Sequence, residues 1–494
     1  MTIHDLAFNQ DFTCLLMSTD ECHKIFNCDP FGEFYLAGKD TDNGATAFLR
    51  MLFSTSLTIM VPDGGAETGK RVLKVFNLKQ NLKICELTFP LNIVDLMLNR
   101  KRMIVFLEVG QIYIYDLSSI RLIKVLEINS FIKKHEDDDL TVVADLSPDD
   151  NSYLVLPLLA INEQTDLFNT ECVAGTSQPD TPVLKPSDSR IVSSLDELIE
   201  FTQKNKQSSL AKQETITLED LQKDSPGWIL VYDTINLRPR LIYKAHDAGI
   251  AKVAISNTSG EIATASTKGT IIRVCHLNFE LLDHFKKLKI SHVTNLRRGH
   301  NLSTINALKF NVDSTILGCS SESNTIHFFQ VDADSSANAD DEEEAYSSDE
   351  DAKSGRSSQE DLNENLASLL VLKRPDESPV KEAEHSNSYF SAFRRSSKIL
   401  NNLYTKLIMK KLPYRDYLDN LLWTKPRRSF AYIKLPEQST QSRKKYVEIG
   451  FSGSGSLMLA SYITGTFYHY QLPKPHGGEE REKCVLLSQN SLLE

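Results

Sequence analysis

The chain has 494 residues, of which 41% are hydrophobic, and carries a formal net charge of −11. That is enough apolar material for a large core, and the acidic balance argues against nucleic-acid binding or general adhesion to membranes, so any anion binding must come from local basic clusters. No stretch approaches the roughly 18 continuous apolar residues of a membrane span, and Met1-Thr2-Ile3-His4-Asp5 lacks the basic-then-apolar pattern of a signal peptide.

In chain order, short β-type runs alternate with Gly/Asp/Asn/Ser turns at intervals of about 8–12 residues, the signature of an all-β sandwich, barrel or propeller. A longer period of roughly 40 residues lies above it, as in propeller blades. Seven units are expected. The first takes in Leu6, Cys14–Met17, Lys24–Cys28 and Phe34–Leu36. The second spans Phe48–Phe89 and the third Ile93–Ile128. Within the second, Gly64-x-x-x-x-Gly69-Lys70 imitates a phosphate-binding P-loop. Arg71 stands where that motif needs Ser or Thr, and Val72-Leu73-Lys74-Val75-Phe76 alternates like a strand, so a hairpin loop is expected.

The fourth unit begins at Thr141, continues through Tyr153–Leu159 and resumes at Trp228–Tyr243. Residues 161–226 are polar and read as an insertion in this blade, with one capping box at Ser194-x-x-Glu197. The fifth unit covers His246–Leu296. The sixth runs from near Ser303 to Phe329, with its last strand at Ser429–Leu435. The seventh runs from Tyr446 through Leu457–Tyr462 and Phe467–Leu472 to Val485–Leu492. Each unit has up to four runs, as a blade requires, and closure into a ring removes exposed sheet edges.

Residues 331–427 read as a second insertion, in blade six between its third and fourth strands. Asp340-Asp341-Glu342-Glu343-Glu344 and Asp349-Glu350-Asp351 form an acidic, serine-rich tract expected to be disordered. Ser347 and Ser348 lie in a context that acidophilic kinases favour, and added phosphate there would repel an anionic bilayer. Ser386–Leu412 is the reverse, carrying Arg394, Arg395, Lys398, Lys406, Lys410 and Lys411 and no acid. Its apolar residues Ile399, Leu400, Leu403 and Leu407 fall at helical spacing after Phe390 and Phe393, the pattern of a helix lying in a membrane interface. A helix packed on the propeller side, or one that binds a partner, fits the same pattern.

No catalytic constellation, metal-ligand spacing or cofactor motif is present, so no enzymatic activity, metal or cofactor is expected. Eight cysteines, Cys14, Cys22, Cys28, Cys85, Cys172, Cys275, Cys319 and Cys484, occur without C-x-x-C pairs and read as buried thiols.

The strongest local signal is Leu296-Arg297-Arg298-Gly299. Upstream lies a WD40-like unit from about His246 to Cys275, containing Ala263-Thr264-Ala265-Ser266-Thr267-Lys268-Gly269-Thr270-Ile271-Ile272-Arg273-Val274. Downstream lies Ser320-Ser321-Glu322-Ser323-Asn324-Thr325-Ile326-His327. On a strand, adjacent side chains point to opposite faces, so two successive arginines serve two different pockets. Each pocket adds Ser/Thr hydroxyls, the equipment for two phosphorylated headgroups.

These motifs, with Phe26-Asn27-Cys28-Asp29-Pro30-Phe31 and Asn99-Arg100-Lys101-Arg102-Met103, resemble the PROPPIN family of seven-bladed phosphoinositide-binding propellers. The resemblance covers nearly all of the chain outside 161–226 and 331–427. It implies two rim sites, the first using His246, Ser266, Thr270, Arg273 and Arg297, the second Arg298, Ser321, Thr325 and His327, with Ser320 and Ser323 as further donors. Guanidinium groups would grip phosphate oxygens in bidentate fashion. The implied ligands are phosphatidylinositol 3-phosphate and 3,5-bisphosphate, and the implied role of the blade-six insertion is membrane insertion. The implied partners are autophagy proteins of the lipidation or membrane-expansion machinery, at the pre-autophagosomal structure, vacuole and endosome, with blades one to three left free for them. A vacuolar regulator and a WD40 scaffold without a lipid role are the competing readings. Leu296 stands where the family usually has Phe, and Glu322 weakens the second site if it points inward.

Overall fold

The structure, a computed structural model, describes residues 1–37, 45–64, 69–128, 132–134, 140–158, 190–192, 226–246, 248–282, 285–323, 325–331, 426–435, 447–453, 455–474 and 481–493. The propeller is carried by Met1–Ala333 and Pro426–Glu494. It is all-β, with seven four-stranded antiparallel blades. Blade one is Ile3–Phe8, Cys14–Thr19, His23–Cys28 and Phe31–Ala37. Blade two is Thr46–Met51, Leu57–Pro62, Val72–Asn77 and Leu82–Thr88. Blade three is Ile93–Leu98, Arg102–Leu107, Gln111–Asp116 and Arg121–Glu127. Blade four uses Asp145–Leu146, Tyr153–Leu158, Trp228–Asp233 and Arg238–Lys244. Blade five uses Ile250–Ile255, Glu261–Ser266, Ile271–Leu282 and Phe285–Arg297. Blade six uses Ile305–Phe310, Ile316–Ser321, Thr325–Gln330 and Ala431–Lys434, and blade seven Val447–Phe451, Leu457–Ser461, Thr466–Gln471 and Val485–Ser491. The P-loop look-alike runs into the strand Val72–Asn77, so it has no helix to present to a nucleotide.

Hydrophobic pattern sets the radial order. Middle strands such as Tyr153–Leu158 and Trp228–Asp233 are buried along their whole length because a neighbouring blade covers each face. Outer strands are wet: nearly all of Val485–Ser491 is exposed. The turn after the innermost strand is repeated chemistry. Asn9, Ser256 and Asn311 each accept a backbone N–H five residues on through a side-chain oxygen, at 3.0, 3.0 and 2.8 Å. Phe12, Ser259 and Ser314 then turn the chain with positive φ. Short polar side chains that bond their own backbone are the usual way to stabilise such turns.

Two differences from the sequence reading concern blade four and the edges. Thr141 does not begin blade four; Leu140–Val142 pairs back on Ile132–Lys134 as a separate hairpin, and the blade starts at Asp145. Three short strands add in parallel to outer edges: Arg190–Val192 on blade four, Arg427–Arg428 on blade five and Glu482–Lys483 on blade six. At the two ends of the blade-six insertion, Val331 is buried and Arg427 is already in a sheet. The capping box at Ser194–Glu197, the acidic tract and the amphipathic segment, with Phe390, Phe393, Ile399, Leu400, Leu403 and Leu407, lie outside the described residues.

Blade one is built wholly from N-terminal residues and blade seven wholly from C-terminal ones, so no strand is exchanged to close the ring. Closure rests on packing and one phenol. The Tyr462 hydroxyl accepts from Leu6 N–H at 2.9 Å and donates to Leu6 C=O at 2.8 Å. Phe31 stacks on Phe467 across the same seam, with centroids 4.5 Å apart. Nearer the axis the innermost strands carry charges that bridge blades. The half-buried Arg50 guanidinium ties Asp5 of blade one to Asp95 of blade three, the latter at 2.8 Å. Lys309 of blade six reaches Asp145 of blade four at 3.5 Å.

Replacing Arg50 with Ala strands two partly buried carboxylates, a change that typically costs about 3–5 kcal/mol. Urea unfolding of Arg50→Ala is expected to show a loss of that order, while Lys83→Ala, from an exposed pair on blade two, stays within about 0.5 kcal/mol of the parent.

Candidate anion-binding rim on blades five and six

Leu296 is fully buried in the seam between blades five and six, beside Ile272 and Val274, so the aliphatic residue serves as the apolar anchor of the motif. It pairs with Ile272, and Arg297 pairs with Ile271 on one side and Arg428 on the other. Arg273 lies opposite Asn295, one diagonal step from Arg297. Alternation therefore puts Arg297, Arg273 and Arg428 on the face opposite Leu296.

Arg273 is held from behind. Its Nη1 donates to Ala245 C=O at 2.8 Å and to His246 Nδ1 at 2.7 Å. The other nitrogen of His246, Nε2, lies 3.0 Å from Thr264 Oγ1. Burial, and then the adjacent Arg273, push His246 well below the usual histidine range. His246 is thus a neutral, buried ring with both nitrogens engaged. In this arrangement His246 positions Arg273, its Nδ1 accepting from the guanidinium while its Nε2 lies against Thr264. Ser266 is buried beside it, while Thr270 is half-buried.

Arg298 turns the other way, towards blade six, and is only 5% exposed. Its Nε donates to Gly269 C=O at 2.6 Å and its Nη2 to Asn301 C=O. Gly269 has φ +63°, and a Cβ there would meet the Ser303 carbonyl oxygen at 1.9 Å, so only glycine fits the turn whose carbonyl holds Arg298. Gly299 differs: a Cβ would meet open space, so glycine there keeps the approach to the two arginines clear.

In blade six, Thr325 lies opposite Lys434 and His327 opposite Tyr432. These four, with Arg481, line an open pocket of about 570 Å³. His327 Nδ1 lies 3.2 Å from Ser429 Oγ. Burial, then Arg481 and Arg298, lower His327 to about 4. Ser321 bonds Ser323 at 2.8 Å, and Ser320 is buried. Glu322 accepts the Thr304 N–H at 3.3 Å, a bond that turns its carboxylate towards that backbone.

Between the pockets, Arg297 Nη1 lies 3.3 Å from His300 Nδ1. Burial, then Arg297, Arg428 and Arg481, lower His300. Among the described residues, Arg297, Arg428, Lys434 and Arg481 make no ion pair. The sequence reading missed Arg428, Tyr432, Lys434 and Arg481. All four lie on or beside short strands far along the chain, within or next to two- to four-residue β runs that carry little local signal.

A paired substitution tests the loop under Arg298. Gly269→Ala is expected to cost about 1–3 kcal/mol in urea unfolding, from strain and a backbone clash, whereas Gly299→Ala stays within about 0.5 kcal/mol. Acid stability follows from the buried histidines. His276, stacked 3.9 Å from His292, is lowered to about 3 by burial, His292 and Arg427. His276 and His327 are neutral when folded and take a proton when unfolded below about 6.5. Their contribution is present above that value and is lost as pH falls through it towards 3–4. The melting temperature should drop between pH 7 and pH 5, and His276→Gln should flatten that slope.

Comparison with known proteins agrees with this architecture. The PROPPIN family model matches residues 2–169 and 218–359. "Autophagy-related protein 21" of Debaryomyces hansenii is 49% identical over 99% of both chains. The Candida albicans protein of that name is 46% identical over 100% of both. "Autophagy-related protein 18" of Yarrowia lipolytica is 27% identical over 100% of this chain and 97% of its own. A solved complex of KlAtg21 with the coiled-coil of AgAtg16 superposes with TM-score 0.56 at 23% identity, covering 99% of each chain, a likeness of fold alone. With seven blades, the double-arginine motif between blades five and six, and relatives that align from end to end, the chain belongs to the PROPPIN family.

Proposed function

We propose that this protein is a peripheral membrane effector that binds phosphatidylinositol 3-phosphate and 3,5-bisphosphate on the rim of blades five and six. In this reading it recruits autophagy and cytoplasm-to-vacuole targeting machinery, including that for lipidation of the ubiquitin-like protein, to the pre-autophagosomal membrane, with the vacuole and endosome as further sites. One observation carries it: Arg297, Arg428, Lys434 and Arg481 line one rim without acidic partners among the described residues, next to hydroxyl-bearing pockets. Unpaired guanidinium groups in a partly desolvated setting are suited to planar, bidentate phosphate recognition.

Arg273 and Arg297 would hold one headgroup, with Ser266 and Thr270 orienting it. Arg298 and the blade-six pocket, with Ser321, Thr325 and His327, would hold the second. Two modest contacts on one rigid edge reinforce each other through effective concentration, and the segment from Phe390 to Leu407 would add an apolar anchor. The names of the relatives support an autophagy role. No catalytic step is assigned to any residue.

Liposome flotation separates this reading from a lipid-independent scaffold. Wild type is expected to float with vesicles containing either 3-phosphorylated lipid and not with plain anionic vesicles. Arg297→Thr/Arg298→Thr should lose at least tenfold in affinity, the scale set by two charge-assisted contacts. Equal flotation of mutant and wild type would sink the assignment.

A further inference from the structure

A ring of blades still leaves the outer edge of each blade open, and an open edge is a template for another strand. Six of the blades deal with this in two ways. Blades four, five and six take a short parallel strand along the edge. Blades one, two and three carry charge on the outermost strand: Glu33 in Phe31–Ala37, Lys83 and Glu86 in Leu82–Thr88, and Arg121 and Glu127 in Arg121–Glu127. Charged side chains on an edge discourage pairing. Blade seven does neither. Among the described residues its outermost strand, Val485–Ser491, pairs only with Thr466–Gln471, and its sequence Val-Leu-Leu-Ser-Gln-Asn-Ser contains no charge. Val485, Leu486 and Leu487 are 63%, 47% and 53% exposed.

Chain order explains why this edge differs. The strand that covers blade five, Arg427–Arg428, lies in the connection between the third and fourth strands of blade six. The strand that covers blade six, Glu482–Lys483, lies in the same connection of blade seven, held by Glu482 N–H to Phe430 C=O at 2.9 Å and Cys484 N–H to Tyr432 C=O at 3.3 Å. Next around the ring comes blade one, where that connection is only Asp29-Pro30, between strands that end at Cys28 and begin at Phe31. So short a link cannot reach a neighbouring edge. A second copy of the chain fits the edge poorly. Seven residues span about 23 Å, and two such edges laid together cover roughly 500 Å² in all, about half of what a lasting interface between folded proteins needs. An extended peptide has no such limit, because it can bend over the edge and set its side chains against both faces of the strand.

We propose that the outer edge of blade seven is a docking site for an extended segment of a partner protein, which adds to Val485–Ser491 as a fifth strand. The strands that cover blades four, five and six all run parallel to the strand they join, and this sets the direction of the added one. Main-chain hydrogen bonds supply the affinity, and the run Val485-Leu486-Leu487 selects a segment with apolar residues at alternate positions and no charge at its centre. The site uses none of the basic side chains described above.

The test is a selection of random peptides, about ten residues long and displayed on phage, against the full chain, with Leu487→Lys for counter-selection. Lysine there is the device that blades one to three already use, and the position is exposed, so the melting temperature should not change. Leu486→Lys is a second variant, and Leu82→Lys, on the outer strand of blade two, is the control. The enriched peptides are synthesised and their binding is measured by fluorescence anisotropy. They are expected to carry apolar residues at alternate positions and to bind Leu487→Lys and Leu486→Lys about tenfold more weakly than wild type or Leu82→Lys. They should also protect backbone amides within Val485–Ser491 from hydrogen exchange, and N-methylation of alternate peptide nitrogens should abolish binding. Enrichment of no peptide that tells wild type from Leu487→Lys, or protection of another part of the chain, would overturn the proposal. Dimerisation of wild type that Leu487→Lys abolishes would also overturn it, by placing a second copy on the edge. Slow exchange of every amide of Val485–Ser491 in the chain alone would overturn it too, by placing a segment of this same chain there.

Discussion

Everything on the rim depends on a ring that shuts without exchanging a strand. The Tyr462 phenol joins both backbone groups of Leu6, which lies 456 residues away in sequence. Around it, Phe12, Phe328 and Phe451 pack edge to face, and Gly450 leaves room for the Phe8 ring. These are ordinary interactions, each worth about 1 kcal/mol beyond the area it buries. Their weight comes from position, since without them blades one and seven would present bare faces to water. The axial pairs through Arg50 and Lys309 then fix how neighbouring blades are rotated, and with that the spacing of groups on the outer rim.

The site shows how a repeat becomes specific. Blades five and six use the same strand positions, yet the same positions do different work. In blade five a buried neutral histidine braces Arg273 from behind. In blade six His327 faces the pocket directly, opposite Tyr432, with Arg481 arriving from the next blade. Burial first, and then neighbouring guanidinium groups, lower both His300 and Arg481 on this rim. Holding such charges in a fixed framework is what prepares a surface for a polyanion.

Much of this was legible from the residues. Seven units, their approximate limits and the alternating faces of Leu296 and Arg297 follow from period-two patterning and turn chemistry, because strands buried between blades have to be continuously apolar. The contact of His246 with Arg273 was not legible, since sequence cannot say whether a ring nitrogen meets water or a neighbouring guanidinium. Thr141 misled because a β-branched residue in an apolar run reads alike in a blade and in a separate hairpin. Arg428, Lys434 and Arg481 were not legible at all. Their strand partners lie from about fifty to more than a hundred positions away, and the two-residue parallel pairings beside Arg428 and Arg481 leave no periodic trace.

The crossing strands also bear on how the protein is made. A chain emerging from the ribosome can complete blades one to five, with Arg297 and Arg298 in place, while residues beyond 426 are still untranslated. The edge of blade five then lacks Arg428, and the blade-six pocket has neither its outer strand nor Arg481. The full basic rim comes into being only when the connection inside blade seven has been synthesised and folded back. A nascent or prematurely terminated polypeptide therefore cannot present it, however well its earlier blades are folded.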